Sequence, residues 1–309
     1  MSTPPARRGE QRAGGVRQEL AALGRRPRKR LGQHFLADPS VARRIVDLAQ
    51  LQATDRVVEI GPGLGALSQL LVQRAREVWL IEVDPVLADR LRGQYAGQPG
   101  VNVVAADVLT VDFGALLGTG EPAVVVANLP YNIATAVLAA LLNAHGCFAR
   151  MVLMLQREVA DRLRAQPGTK DYGVLSVMTQ FAARVRPGLR VGPEAFVPRP
   201  KVESEVVVVE PLDQPSVPVM DAALFGRVVR TAFNQRRKQL VNSLRPLCTD
   251  PVAVLRAAGI DPTRRPETLT LAEFAALSGT MREQTTDGQT TDGRTMDRKN
   301  ATRTRCLPR

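Results

Sequence analysis

The sequence predicts an α/β protein, a parallel sheet covered on both faces followed by a small helical domain. Three observations predict it. Short β-branched runs alternate with helical patterns from residue 56 to about 165. A glycine-rich turn falls between the first such run and the helical pattern after it. From about Asp221 the β-branched runs stop and only helical periodicity continues.

Taken in order, residues 38–50 read as a helix, with Asp38 as its cap, Pro39 at its first position and Val41, Ile45 and Leu48 on one face. Residues 56–60 form a strand, 64–74 a helix, 77–83 a strand, 85–95 a helix and 101–105 a strand. After a loop come a strand at 123–127, a helix at 133–144, a strand at 149–155 and a helix at 157–165. This strand–helix alternation argues for βαβ units and a parallel sheet covered on both faces. Residues 184–191 and 202–210 add strands at the end of the sheet. Pro211, Pro215 and Pro218 mark a linker, and 222–244, 251–258 and 271–278 read as helices. The expected division is 25–213 for the α/β domain and 214–279 for the helical one.

The two ends read differently. Residues 1–24 are rich in Arg, Gly, Ala and Pro, and residues 280–309 carry the polar repeat TTDGQ-TTDGR. Neither end offers enough apolar surface to offset its ordering entropy, so both are expected to be disordered. The start is a basic arm rather than an organellar transit peptide, because serine and amphipathic periodicity are scarce.

Composition narrows the function. The 309 residues hold 42 Lys plus Arg against 30 Asp plus Glu, a net charge of +12. That excess implies an anionic partner, nucleic acid first and an anionic membrane surface second. Residues 1–30 hold nine basic and two acidic residues, +7, and residues 280–309 seven and four, +3, which leaves +2 for the body. Cys147, Cys248 and Cys306 are too few and too scattered for a disulfide framework or a CxxC site, which points to a reducing, cytoplasmic setting. His34 and His145 are the only histidines, so neither a Ser-His-Asp triad nor a metal centre is expected. No apolar run approaches the roughly 20 residues of a membrane helix, and no secretory h-region follows the start.

Chemistry concentrates at predicted strand ends. Glu59-Ile60-Gly61-Pro62-Gly63-Leu64-Gly65 joins a strand to a helix. Glycines there let the backbone turn sharply and approach a ligand, and the following helix presents free N–H groups. Glu82 ends the next strand, 21 residues after Gly61, where a carboxylate can accept both hydroxyls of a ribose. Asp107 closes the third strand in the same way. The spacing is GxGxG and not the GxGxxG of dinucleotide enzymes, and with the flanking acids it resembles the S-adenosylmethionine-dependent methyltransferases.

Asn128-Leu129-Pro130-Tyr131 follows the fourth strand and resembles the signature of methylases acting on exocyclic amino groups. The adenine N6 lone pair is delocalised into the ring, so N6 is a poor nucleophile. The Asn128 side-chain oxygen and the Leu129 carbonyl can both accept from that amine and aim its lone pair at a sulfonium methyl. Pro130 fixes the turn and biases Leu129 to an extended backbone. Tyr131 offers a face to an extruded base, a stack worth roughly 1–3 kcal/mol. No strong general base is needed, because the amine becomes acidic only as it is alkylated.

Further segments carry a more specific resemblance. Lys29-Arg30-Leu31-Gly32-Gln33-His34-Phe35-Leu36, the run NLPYNI at 128–133, the segment FVPRPKVES at 196–204, FNQRRKQLVNSL at 233–244 and RPETL at 265–269 are similar to motifs of the small-subunit ribosomal RNA adenine dimethyltransferase family. The resemblance covers about residues 28–279. It implies a Rossmann-like, S-adenosyl-L-methionine-dependent domain with a helical RNA-docking domain. It also implies N6,N6-dimethylation of two adjacent adenosines in the 3′-terminal hairpin of small-subunit rRNA, on a pre-30S-type particle, by a monomer. The alternative it leaves is the resistance-type methylase of large-subunit rRNA. His34, Leu36, Gly61, Gly63, Glu82, Asp107 and Asn128 would contact the cofactor, and Tyr131 and Phe196 would sandwich the target adenine. Ala134-Thr135-Ala136 departs from the family's usual residues after NLPYNI. In the helical domain, Arg230, Arg236, Arg237 and Lys238 form a basic group on one expected helix, suited to phosphates.

Overall fold

A computed structural model describes residues 8–144, 146–235 and 238–292. Residues 1–7 and 293–309, His145, Arg236 and Arg237 lie outside the described residues.

The elements follow in chain order. α1 spans Arg8–Ala22, β1 Phe35–Leu36, α2 Pro39–Leu48, β2 Arg56–Ile60, α3 Ser68–Leu71, β3 Glu77–Glu82, α4 Pro85–Gln94 and β4 Val101–Ala105. Next come α5 Phe113–Leu117, β5 Ala123–Asn128, α6 Ala134–Asn143, β6 Phe148–Gln156, α7 Arg157–Arg164, α8 Val174–Ala182 and β7 Ala183–Val191. β8 Phe196–Val197, β9 Ser204–Pro211, α9 Ala222–Phe233, α10 Leu240–Ser243, α11 Pro251–Ala257 and α12 Leu271–Asp292 complete it.

The main sheet has seven strands in the order β4-β3-β2-β5-β6-β9-β7. β2 to β6 run parallel, and β9 is antiparallel to both β6 and β7. Val57 sits across from Val78 on one side and Val124 on the other. All five residues of β2 are buried, as a central parallel strand requires. The strand order reverses between β2 and β5, and open α/β sheets bind ligands at the strand C-termini beside such a reversal. The core on one face unites Ile45 and Val46 of α2 with Val57, Leu80, Val126, Met154 and Val206.

Local signals account for the helix starts. Asp38 accepts from the Ser40 N–H at 2.8 Å with Pro39 next, and Asp84 accepts from the Val86 N–H at 3.1 Å with Pro85 next.

Two compact units emerge. One runs through Ala165 and resumes over Met178–Ser216, and the other comprises Gln166–Val177 and the chain from Val217. The second unit thus takes up Gln166–Val177, which lies within the 25–213 span expected for the α/β domain. Its anchor is Tyr172, whose hydroxyl donates to the Leu269 carbonyl at 2.9 Å and whose ring meets Phe233 edge-on.

Other differences have local causes. The helix expected over 64–74 shrinks to α3, because Gly61, Gly63 and Gly65 hold positive φ and use the chain in turns. The expected helix over 222–244 breaks after Phe233. The Leu240 and Val241 N–H groups bond to the carbonyls of Arg264 and Pro262 instead of continuing one ladder. Residues 1–24 were expected to be disordered, yet they include α1. Its Val16 and Leu20, with Leu23 just past its end, pack with Phe35, Leu87 and Leu64. The C-terminal helix was expected to stop at 278 with a disordered tail from 280, and α12 instead continues to Asp292 with Met281 buried. β1 and β8, which no periodicity marked, pair Phe35 with Val197 and Leu36 with Phe196.

Candidate active site

β2 leads into Gly61, whose N–H still donates to the Ile81 carbonyl at 2.9 Å before φ turns to +66°. Gly63 follows at φ +58°. A Cβ built there would lie 3.0 Å from the Phe35 ring, so the loop leaves a cradle that any other residue would fill. The same Gly63 N–H donates to Glu82 Oε2 at 3.0 Å, and the Asp84 N–H donates to Oε1 at 2.9 Å. Glu82, at the end of β3, is 4% exposed. Burial pushes its carboxyl up, opposed by those backbone donors.

Glu59 sits deeper. It is fully buried, and its Oε2 has no partner. Burial, with an addition from the Glu82 charge and partly offset by the Ser68 hydroxyl, pushes its carboxyl up to about 8. Sequence reading noticed this acid only as a neighbour of the loop.

On the other side of the reversal, β5 ends at Asn128. Its Nδ2 donates to the His34 carbonyl at 2.9 Å, which leaves Oδ1 to accept from something else. The Leu129 N–H bonds to the Met154 carbonyl at 3.2 Å, and the Ile133 N–H closes the Pro130 turn at 3.1 Å. The Tyr131 hydroxyl shares a 2.6 Å hydrogen bond with Ser204 Oγ, and burial pushes the phenol up against that bond. His34 stacks on Tyr131 at 5.2 Å between centroids, and its Nδ1 donates to the Pro198 carbonyl at 2.7 Å.

One cavity is lined by His34, Leu36, Gly61, Gly63, Glu82 and Asn128, together with Glu59, Leu129, Pro130 and Tyr131. Two of the expected first-unit residues stand apart. Asp107 is exposed and uses Oδ1 to cap the turn at Leu109, 3.0 Å away. Phe196 is 1% exposed and packs in the core behind β8, so its ring is not open to a base in this arrangement. In the second unit Arg230 is exposed near the end of α9, and Lys238 is exposed beyond the helix break, so the two do not share one helical face. Sequence reading assigned no role to Ser204, which fixes Tyr131 from 73 residues away.

Comparison with known proteins accords with this geometry. The family model described as ribosomal RNA adenine dimethylase matches residues 24–281. A relative from Magnetococcus marinus called ribosomal RNA small subunit methyltransferase A is 49% identical over 268 residues, 86% of this chain and 96% of the relative. One of the same name from Geobacter sulfurreducens is 47% identical over 262 residues, 82% of this chain and 95% of the relative. Among solved structures, a dimethyladenosine transferase from Plasmodium falciparum aligns with TM-score 0.68 at 24% identity, covering 82% of this chain and 98% of that one. The 23S rRNA methyltransferase ErmE aligns with TM-score 0.58 at 28% identity, covering 80% of this chain and 99% of that one.

Proposed function

The chain belongs to the ribosomal RNA adenine dimethylase family, and from that premise we propose that it dimethylates N6 of two adjacent adenosines in the 3′-terminal hairpin of small-subunit rRNA. The observation that carries this reading is the pairing of the glycine loop with Asn128-Leu129-Pro130-Tyr131 across the β2–β5 reversal, with the Asn128 amide already oriented by His34. The substrate is read as a pre-30S-type particle in the cytoplasm and the protein as a monomer. No described helix is long and apolar enough to cross a membrane.

S-adenosyl-L-methionine fits the residues present, and when bound it supplies an electrophilic methyl group on a sulfonium centre. The Gly61–Gly63 cradle admits a ligand close to the backbone. The unpartnered Glu59 oxygen and the Glu82 carboxylate suit its cationic and hydroxyl groups. His34 and Leu36 close this side through the β1–β8 ribbon, and Asp107 would reach the cofactor's adenine from the end of β4.

The protein's own work is to orient and to exclude water. Asn128 Oδ1 and the Leu129 carbonyl accept the two N6 hydrogens, so the nitrogen lone pair points at the methyl carbon. The methyl group that the bound cofactor would supply replaces one N6 hydrogen, and the alkylated amine, acidic once its lone pair is used, would release that proton to solvent. The first transfer leaves one N–H, so a second can follow. Tyr131, pinned by Ser204, stacks on the extruded base, a position His34 occupies in this structure. Phe196 can serve as the second face only if the base uncovers it. Arg230, Arg236, Arg237 and Lys238 are assigned to RNA phosphates.

Mass spectrometry of small-subunit rRNA incubated with protein and labelled cofactor tests this. Four methyl groups on two neighbouring adenosines are expected. Label confined to large-subunit rRNA would overturn the reading in favour of the resistance-type activity.

A further inference from the structure

A second cavity of about 530 Å³ lies between the turn after α1 and β8, lined by Arg17, Leu20, Gly24, Arg25, Arg26 and Pro198 among others. Its volume falls within the range of clefts that hold small ligands or parts of larger ones. Arg17, Arg25 and Arg26 bring three positive charges to one cleft, which favours an anion there. Only part of that charge is balanced. Arg25 Nη2 lies 3.5 Å from Asp84, and Arg28 shares the same carboxylate at 3.2 Å. Among the described residues no carboxylate pairs with Arg17 or Arg26. Arg25 is turned to Asp84, so Arg17 and Arg26 are the described cations without a carboxylate partner at this cleft.

The position says which anion. The Pro198 carbonyl in the far wall accepts from His34 Nδ1, and the His34 ring stacks on Tyr131. The cleft and the base site therefore share a wall. A nucleic-acid strand that delivers one base to Tyr131 carries its neighbouring phosphates past that wall. Planar guanidinium forks match phosphate oxygens better than ammonium groups do.

We propose that the cleft between α1 and Val197–Pro198 binds a backbone phosphate of the RNA strand beside the methylated adenosine, held by Arg17 and Arg26. It rests on the RNA-methylating reading above. Occupation adds a fixed point for the strand, which aligns the target base and adds salt-dependent affinity.

The test compares the full-length protein with Arg17→Ala/Arg26→Ala and with Arg17→Lys/Arg26→Lys. Binding to the 3′-terminal small-subunit hairpin is titrated over a salt series, with cofactor affinity measured alongside. The Ala pair is expected to lower the slope of log K against log salt by about 1 and to weaken binding about tenfold at low salt, because each phosphate contact contributes roughly one unit. Cofactor affinity stays at the wild-type value, and the Lys pair retains most of the slope. An Ala pair with the wild-type slope and affinity overturns the proposal. So does equal loss in both pairs, or loss of cofactor affinity, because each marks a damaged fold and not a lost phosphate contact. Methyl transfer by the wild type is assayed on the same RNA. A wild type that binds but transfers nothing overturns the function reading, while the slope comparison still decides the cleft.

Discussion

Asn128 offers one amide nitrogen and one amide oxygen, and the nitrogen is committed to the His34 carbonyl. Asn128→Ala therefore removes the acceptor that aims N6 without removing the stack that holds the base. It is expected to lower kcat by about 100-fold or more, the range seen for loss of one preorganised polar contact. RNA affinity should stay within about threefold, and single-turnover methylation with a parallel binding titration checks both. Glu59 yields a pH prediction. Its carboxyl ionises near 8 in the fold against 4.5 as a free group. Below 4.5 both folded and unfolded chains hold the proton. Between 4.5 and 8 the unfolded chain loses it first, so stability falls as pH rises, and above 8 the full penalty is present. Glu59→Gln removes that penalty. Its melting temperature should match the wild type near pH 4.5 and exceed it by several degrees at pH 8.5, on the order of a few kcal/mol. A constant difference across pH would refute the assignment. The motif residues were legible because each strand end carried its chemistry in a short run. Ser204 was not, because its partner Tyr131 lies on a different part of the chain and no local spacing records that bond.

At the level of elements, legibility tracked periodicity and caps. β2 to β6 were readable as short, mostly apolar runs alternating with helical patterns, and α2 as an Asp-Pro start. α1 was hidden because Val16 and Leu20, with Leu23 just beyond it, are scattered among Arg, Gly and Gln, and their burial depends on Phe35 and Leu87 farther along the chain. β1 and β8 are two residues each, too short for a period of two to register. The break after α9 followed from bonds to residues 262 and 264, a tertiary override of good helix formers. A cap that sequence did reveal can be tested. Asp38→Ala removes the acceptor for Ser40 and should cost about 1 kcal/mol, or roughly 2–4 °C in melting temperature. Asp38→Asn should recover most of it in the same calorimetric scan.

For the whole molecule, net charge and geometry make opposite forecasts. Residues 293–309 hold six basic residues and one acid, +5, whereas residues 1–22 hold four and two, only +2. On charge alone the C-terminal deletion should harm the protein's dealings with RNA more. Geometry says otherwise for the fold and the cofactor site. α1 covers Phe35 and Leu87, and its Glu19 pairs with Arg90, whose Nη1 also donates to the Leu64 carbonyl of the glycine loop at 3.3 Å. Phe35 in turn forms one wall of the Gly63 cradle. Removing residues 1–22 thus uncovers apolar surface and frees two supports of the loop at once. The deletion is expected to cost about 2 kcal/mol, lowering the melting temperature by roughly 4–8 °C, and to weaken cofactor binding several-fold. Removing residues 293–309 should leave both values unchanged. Differential scanning calorimetry and cofactor titration on the two deletions test the geometric forecast, and an RNA-binding titration at low salt tests the charge forecast. Equal melting temperatures and equal cofactor affinities would show that α1 contributes charge alone.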